Sequence, residues 1–172
     1  SYAYAARAGV EPLKLVSNMT NTTGEYEANE NELVLLFGVV PDATESNLAD
    51  IDRAVSIIVL DITADDRLPG DTLKLAIFQT ASLVMHMKAI DTDGDGELEL
   101  EEIANFSDSS AASLLIQLAS AQALLASSDP DDQTSQKAAE ALGKYQSQID
   151  AMPGATNEEK LKNYMAGSPP AS

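Results

Sequence analysis

Apolar residues recur at helical spacing along most of the chain after Pro41. In three segments they stand three, four or seven positions apart, which places them on one face of an α-helix. The pattern predicts helices over about 42–60, 72–90 and 134–152. The residues that define the three faces are Leu48, Ile51, Val55 and Ile58; Leu73, Ile77, Val84 and Met87; and Ala138, Leu142, Tyr145, Ile149 and Met152.

Capping residues indicate where two of the helices begin. Asp42 is followed three residues later by Glu45, and Thr156 is followed at the same spacing by Glu159. Each pair can satisfy free backbone amides at a helix N-terminus, so Asp42 is the expected cap of the first helix and Thr156 that of a last short helix. The last helix should end near residue 165, before Gly167.

Two more helices are expected between these. A short one spans about Leu100 to Phe106, and a longer one begins at a cap provided by Asp108 or Ser109 and ends near Ser127. The acidic turn that follows, at 127–132, has the chemistry of a helix start, because Asp side chains accept hydrogen bonds from free amides.

The first 41 residues carry less information. Residues 2–7 are compatible with a short helix or an ordered tail, and 17–31 are rich in Asn, Thr and Glu, as is typical of loops. The apolar run Leu33–Phe37 must be buried, but its length does not distinguish a strand from one or two helical turns. We therefore expect a mainly α fold: an irregular N-terminal segment (1–41) packed on the core, a compact helical domain (42–167) and a loose tail (168–172).

Composition supports one helical domain. The chain has 172 residues, of which 44% are hydrophobic and 5% aromatic, and Ala and Leu supply much of the apolar content. There is no cysteine, which excludes disulfides and thiolate metal sites. The net charge of −18 argues against nucleic acid and anionic membranes as partners, because both select basic surfaces.

No membrane span is expected from the sequence. The most apolar run, 111–126, is shorter than the roughly 20 residues of a span and is interrupted by Gln117, Ser120 and Gln122. The chain opens at Ser1 without Met, which suggests a removed signal segment or a boundary of the expressed chain. The first alternative predicts a periplasmic or extracellular protein. A cytoplasmic location and a lipid anchor upstream of Ser1 stay open.

The most specific chemistry lies in residues 91–102, where seven of twelve residues are Asp or Glu. Asp91, Asp93 and Asp95 alternate, Gly96 follows where a sharp turn is needed, and Glu102 stands at the twelfth position. This fills the pattern D-x-[DN]-x-[DN]-G-x₅-E. A hard cation such as Ca²⁺ takes six to eight oxygen ligands, so one short loop must provide most of them.

The stretch resembles the loop of EF-hand calcium-binding proteins, and the resemblance covers about 72–106. Apolar residues flank the acids as in that family: Met87 and Ile90 before the loop, Leu98 at its eighth position, and Ile103 and Phe106 after it. The resemblance implies that Asp91, Asp93 and Asp95 each supply one carboxylate oxygen and that Glu97 supplies its backbone carbonyl. It also implies that Glu99 acts through a water and that Glu102 supplies both oxygens.

EF-hands usually occur in pairs, and 61–72 is the candidate for a partner loop. Asp61, Thr63 and Asp65 match the first three ligand positions. Asp66 stands where the glycine belongs, and Thr72 cannot supply a bidentate carboxylate. A second calcium site is therefore not expected there, while a metal-free partner loop stays open.

Nothing in the sequence indicates an enzyme. His86 is the only histidine, and no nucleophile–base set is recognisable around it. The sequence therefore predicts a calcium-binding interaction or scaffold module with a structural ion and another protein as partner. The alternative is a calcium-responsive switch that exposes a surface containing Met85, Met87 and leucines.

Overall fold

α-Helices account for most of the fold in the computed structural model, which describes residues 1–21, 34–63, 66–95, 98–127 and 131–167. The mainly α prediction is confirmed. The helices are α1 (Tyr2–Arg7), α2 (Pro12–Asn21), α3 (Glu45–Asp61), α4 (Pro69–Lys88), α5 (Leu100–Ala104), α6 (Asp108–Ala126), α7 (Gln133–Asp150) and α8 (Asn157–Met165), with a 3₁₀ turn at Val34–Gly38.

Helix α4 lies at the centre of the molecule. It packs against α3 and α6, and also against α2 and the 3₁₀ turn. Its predicted apolar face is buried at Ile77, Val84 and Met87, but Phe78 and Met85 on other sides are fully buried too. Neighbouring elements cover α4 from several directions, so more of its surface is buried than a single apolar face predicts.

Helix α7 follows its predicted pattern more closely. All five residues of the predicted apolar face are buried, with Leu142 and Tyr145 at 0% exposure, although Met152 lies two residues beyond the end of α7. This helix packs on α6, α8 and α2. Its N-terminus is capped by Asp132, whose carboxylate accepts a hydrogen bond from the Thr134 amide at 3.1 Å, as the acidic turn predicts.

Two predicted caps are wrong by one or two residues. Helix α3 is capped by Thr44, which accepts a hydrogen bond from the Asn47 amide at 3.2 Å, while Asp42 accepts one from Lys88 at 3.3 Å. Asp42 is thus used for a contact with α4 instead. Helix α6 is capped by Ser107.

For two further helices, α8 and α4, only the first begins where the sequence predicts. The Thr156–Glu159 pair forms the expected reciprocal cap of α8, so this prediction is confirmed. Helix α4 begins at Pro69, three residues before the predicted start. Proline suits the first turn, because its missing N–H would have no helical partner there.

The N-terminal segment is more helical than expected. Residues 2–7 form α1, and residues 17–21, predicted as loop, are the end of α2, which is anchored by the buried Leu15 and Val16. Leu36 and Phe37 of the apolar run are buried in the 3₁₀ turn. The rest of the predicted loop, 22–31, lies outside the described residues, as do Leu33 and the predicted tail 168–172.

Helix α6 has the length and apolar content of a helix that could cross a membrane. It has 19 residues, and the mean hydropathy of its most apolar stretch of 18 residues is 1.3. The prediction that no segment is long and apolar enough to span a membrane is therefore wrong. About 28% of that stretch is buried inside the protein. Length and composition do not by themselves place α6 in a membrane, since core helices of globular proteins meet the same criteria.

An ion pair attaches α1 to α3. The Arg7 guanidinium donates hydrogen bonds to both carboxylate oxygens of Asp50, and it lies 4.8 Å from the centre of the Tyr4 ring. Asp50 is 6% exposed. The hydrogen bonds from Arg7 hold the pKa of Asp50 below its usual value, and they outweigh the opposing effect of burial.

We expect Asp50→Asn to destabilise the protein at neutral pH, with a difference from the wild type that disappears in acid. Because the pKa of Asp50 is lower in the folded than in the unfolded state, the contribution of its ionised carboxylate to the free energy of unfolding is complete above the unfolded pKa of about 3.9. This contribution is lost as the pH falls through the folded pKa. Urea unfolding at a series of pH values measures this. Glu140→Gln, an exposed change on α7, is the control and should have little effect. A gap that persists unchanged at the lowest pH would contradict the assignment.

Candidate metal centre

The acidic stretch forms the connection between α4 and α5, and core residues hold it on both sides. Met87 at the end of α4, Leu98 in the connection and Ile103 in α5 are buried at 0%, 7% and 4% exposure. Ile90 and Phe106 are partly buried against the same core. The apolar residues that flank the acids in the sequence therefore fix the two ends of the loop and leave the acids at the surface.

The carboxylates of this loop converge in two overlapping groups. Oxygens of Asp91, Asp93 and Asp95 lie within 4.8 Å of one another, and so do oxygens of Asp93, Glu99 and Glu102. Asp93 belongs to both groups. The structure thus places each of the four predicted carboxylate ligands in at least one of these groups, and it places Glu99, predicted to act through a water, in the second. Glu97 and the turn glycine Gly96 lie outside the described residues.

Backbone amides orient the first two carboxylates. The Gly94 amide donates to Oδ1 of Asp91 at 2.7 Å, and the Asp95 amide donates to Oδ1 of Asp93 at 3.2 Å. Gly94 has φ +76°, in the left-handed region that favours glycine, and a side chain there would meet no neighbour. Glycine is therefore favoured at position 94 by its backbone conformation. This could not be recognised from the sequence, because the ligand pattern accepts any residue at this position.

Glu102 is held from both ends of the loop. One of its oxygens accepts hydrogen bonds from the amide of Thr92 and from the Thr92 hydroxyl, the latter at 2.7 Å. The other oxygen accepts from the Glu99 amide at 3.2 Å. Thr92 could not be recognised from the sequence, because a pattern of ligands contains no signal for a residue that contacts only a ligand.

These contacts change the ionisation of the two glutamates. The hydrogen bond between the side chains of Glu99 and Glu102 raises the pKa of Glu99 to about 7. Hydrogen bonds from the amide and hydroxyl of Thr92 lower the pKa of Glu102 to about 2. Without a cation, the close approach of these carboxyls thus favours one ionised and one protonated partner.

The donor atoms fit a hard divalent cation. Ca²⁺–oxygen distances are about 2.3–2.6 Å, so oxygens on opposite sides of the ion are about 4.6–5.2 Å apart. Oxygens within each carboxylate group lie no more than 4.8 Å apart, so those of one group are close enough to contact the same ion. Carboxylate oxygens suit Ca²⁺, Mg²⁺ and Mn²⁺, whereas nitrogen and sulfur ligands, which favour Zn²⁺ or Cu²⁺, are absent from both groups.

The surroundings leave the carboxylates accessible. An open groove of about 460 Å³ lies beside the loop, with Ile90 and Phe106 along it and Thr92 and Glu102 at the loop end. Lys88, the basic residue nearest to the loop in sequence, donates instead to the backbone carbonyl of Phe37 and to Asp42, at 3.2 and 3.3 Å. A cation can therefore approach Glu102 from solvent.

Comparison of the chain with protein-family models, with curated proteins and with solved structures finds no match. Support for a metal centre therefore comes from the geometry and chemistry of the loop, together with its resemblance to EF-hand loops.

The candidate partner loop at 61–72 is not a loop of that length. Helix α3 continues through Asp61, and α4 begins at Pro69. Thr63 donates a hydrogen bond to Asp66 at 2.6 Å, and Asp65 lies outside the described residues. Within the described ranges, groups of three acids close enough for a metal occur only in 91–102.

His86 is half-exposed on α4 and contacts α3. Its Nε2 lies 3.1 Å from a carboxylate oxygen of Asp52, and the Ser82 hydroxyl donates to the same carboxylate at 2.8 Å. The serine is thus hydrogen-bonded to the acid, not to the imidazole. This arrangement differs from a nucleophile activated by a histidine base, which requires a serine–histidine contact.

Proposed function

We propose that the protein binds one Ca²⁺ in the loop between α4 and α5. Asp91, Asp93, Asp95 and Glu102 are the carboxylate ligands, and Glu99 lies at the edge of the same site. The observation that carries the proposal is the convergence of both carboxylate groups on Asp93. The resemblance to EF-hand loops supports Ca²⁺ and adds the backbone carbonyl of Glu97.

The role we propose for the ion is structural. The loop and the short α5 connect α4 to α6, and these two helices form the most extensive helix pair in the described fold. A cation that joins carboxylates from both ends of the loop would hold this connection closed. The protein would then serve as an interaction or scaffold module, with another protein as its partner.

The alternative is a calcium-responsive switch that presents Met85 and Met87 to a partner. Both side chains are fully buried. Their exposure would require α4 to separate from the helices packed around it. The two roles therefore differ in how much apolar surface changes with calcium, and this is measurable.

Calcium titration by calorimetry tests the proposed site. We expect saturable binding of one ion per chain, with preference for Ca²⁺ over Mg²⁺, because a bidentate carboxylate suits a large and flexible coordination sphere better than a strict octahedron. In millimolar Mg²⁺ the apparent affinity for calcium should fall by about tenfold or less. The reason is that Mg²⁺ binds this site more weakly than calcium and therefore competes poorly for it.

Two results would contradict the proposal. Absence of saturable binding at millimolar calcium would exclude the site. Complete displacement of calcium by millimolar magnesium would mean that the loop serves another cation.

A further inference from the structure

Glu102 is held in place by a residue distant from it in the sequence. It is the third residue of α5, while Asp91, Asp93 and Asp95 belong to the connection itself. Its side chain reaches back across the loop to Thr92, ten residues earlier, where one oxygen accepts two hydrogen bonds. The contact therefore joins the start of the loop to the helix that follows it.

Without such a contact, two effects would favour other orientations of the Glu102 side chain. Its carboxylate lies within 4.8 Å of a carboxylate oxygen of Asp93, and the like charge there repels it toward solvent. A glutamate side chain also loses rotamer freedom when it is fixed, which opposes binding. Donors that hold the carboxylate before an ion arrives reduce both costs at the moment of binding.

We propose that Thr92 is the positioning residue for this ligand: its hydroxyl holds the Glu102 carboxylate in place for the cation without contacting the cation itself. The proposal rests on the calcium site proposed above. The Thr92 amide would be present with any residue except proline, so the hydroxyl is the part of the contact that depends on residue type. Loss of a group that orients a metal-binding side chain typically costs 10–100-fold in affinity.

Calorimetric calcium titration of Thr92→Val and Thr92→Ser tests the role of the hydroxyl. Valine keeps the branched shape and removes the hydroxyl, while serine keeps the hydroxyl. We expect Thr92→Val to weaken calcium binding about tenfold, at the lower end for residues of this kind, and Thr92→Ser to stay within about twofold of the wild type. Thr72→Val is the matched control, since the Thr72 hydroxyl contacts only the Leu68 carbonyl at the far end of α4, and it should bind as the wild type does.

A double-mutant cycle separates positioning from a general effect on the fold. If Thr92 acts through Glu102, Thr92→Val should cause little further loss of affinity in the Glu102→Gln background, titrated to higher calcium. The melting midpoint of each variant without calcium verifies that the titrated protein is folded. A purely structural defect would instead add fully to the effect of Glu102→Gln.

The outcomes distinguish this inference from the calcium site on which it rests. If the wild type does not bind calcium, both the proposed calcium site and the proposed role of Thr92 are overturned. If the wild type binds and Thr92→Val binds equally well or more tightly, or if the two losses simply add, only the role of Thr92 is overturned.

Discussion

Glu102→Gln should weaken calcium binding by roughly a hundredfold, which corresponds to about 2.7 kcal/mol. The substitution keeps the size of the side chain and removes a negative charge and one of two equivalent oxygen ligands. Coulomb energies between unit charges about 4 Å apart near a protein surface are around 4 kcal/mol, so the loss of one charge beside a divalent ion has an effect of this order. Calorimetric titration measures it.

Glu101→Gln provides the matched control for this prediction. Glu101 is the neighbouring residue on α5, it is exposed, and it belongs to neither carboxylate group. The same change of net charge should leave the affinity within about twofold, because an exposed charge that does not contact the ion interacts with it only weakly through water of high dielectric constant. Glu99→Gln should fall between the two, since Glu99 is expected to act through a water. Equal and small losses for Glu99→Gln and Glu102→Gln would show that Glu102 is not the closing ligand.

Saturating calcium should raise the melting midpoint by about 5–11 °C. An ion that binds only the folded loop adds RT ln(1 + [L]/Kd), about 2.7 kcal/mol at a hundredfold excess over Kd, and each kcal/mol shifts the midpoint of a chain of this size by about 2–4 °C. Scanning calorimetry with and without calcium measures the shift. Helix content, followed by circular dichroism at 25 °C, should change little if the ion is structural.

A dye that binds exposed apolar surface distinguishes the two proposed roles. A structural ion leaves Met85 and Met87 buried, so the dye signal should be nearly independent of calcium. A sharp calcium-dependent rise in dye binding together with an almost constant midpoint would contradict the structural role and favour the switch. In Glu102→Gln, the calcium-induced shift of the midpoint should shrink at the same calcium concentration, which connects the stabilisation to the loop.

Most helices could be predicted because their signals are local. In α7, residues three and four positions apart face the same neighbours, so the sequence pattern alone identifies the buried side, including Tyr145. The Thr156–Glu159 cap of α8 is likewise a contact between residues three positions apart. The alternation of Asp91, Asp93 and Asp95 is local too, and it indicates a cation site without any knowledge of the fold.

Tertiary structure decided the features that depend on residues distant in sequence. Asp42 does not cap α3, because the helix begins at Glu45 and its cap position falls on Thr44, while the Asp42 carboxylate accepts a hydrogen bond from Lys88 on another helix. The burial of α4 on several sides arises only when α3, α6 and the N-terminal segment pack around it. In the loop, the φ of Gly94 and the reach of Glu102 to Thr92 follow from the path of the chain between two anchored ends. The sequence by itself determined which residues carry the carboxylates, and the burial of Met87, Leu98 and Ile103 in the core decided where the two ends of their loop are held.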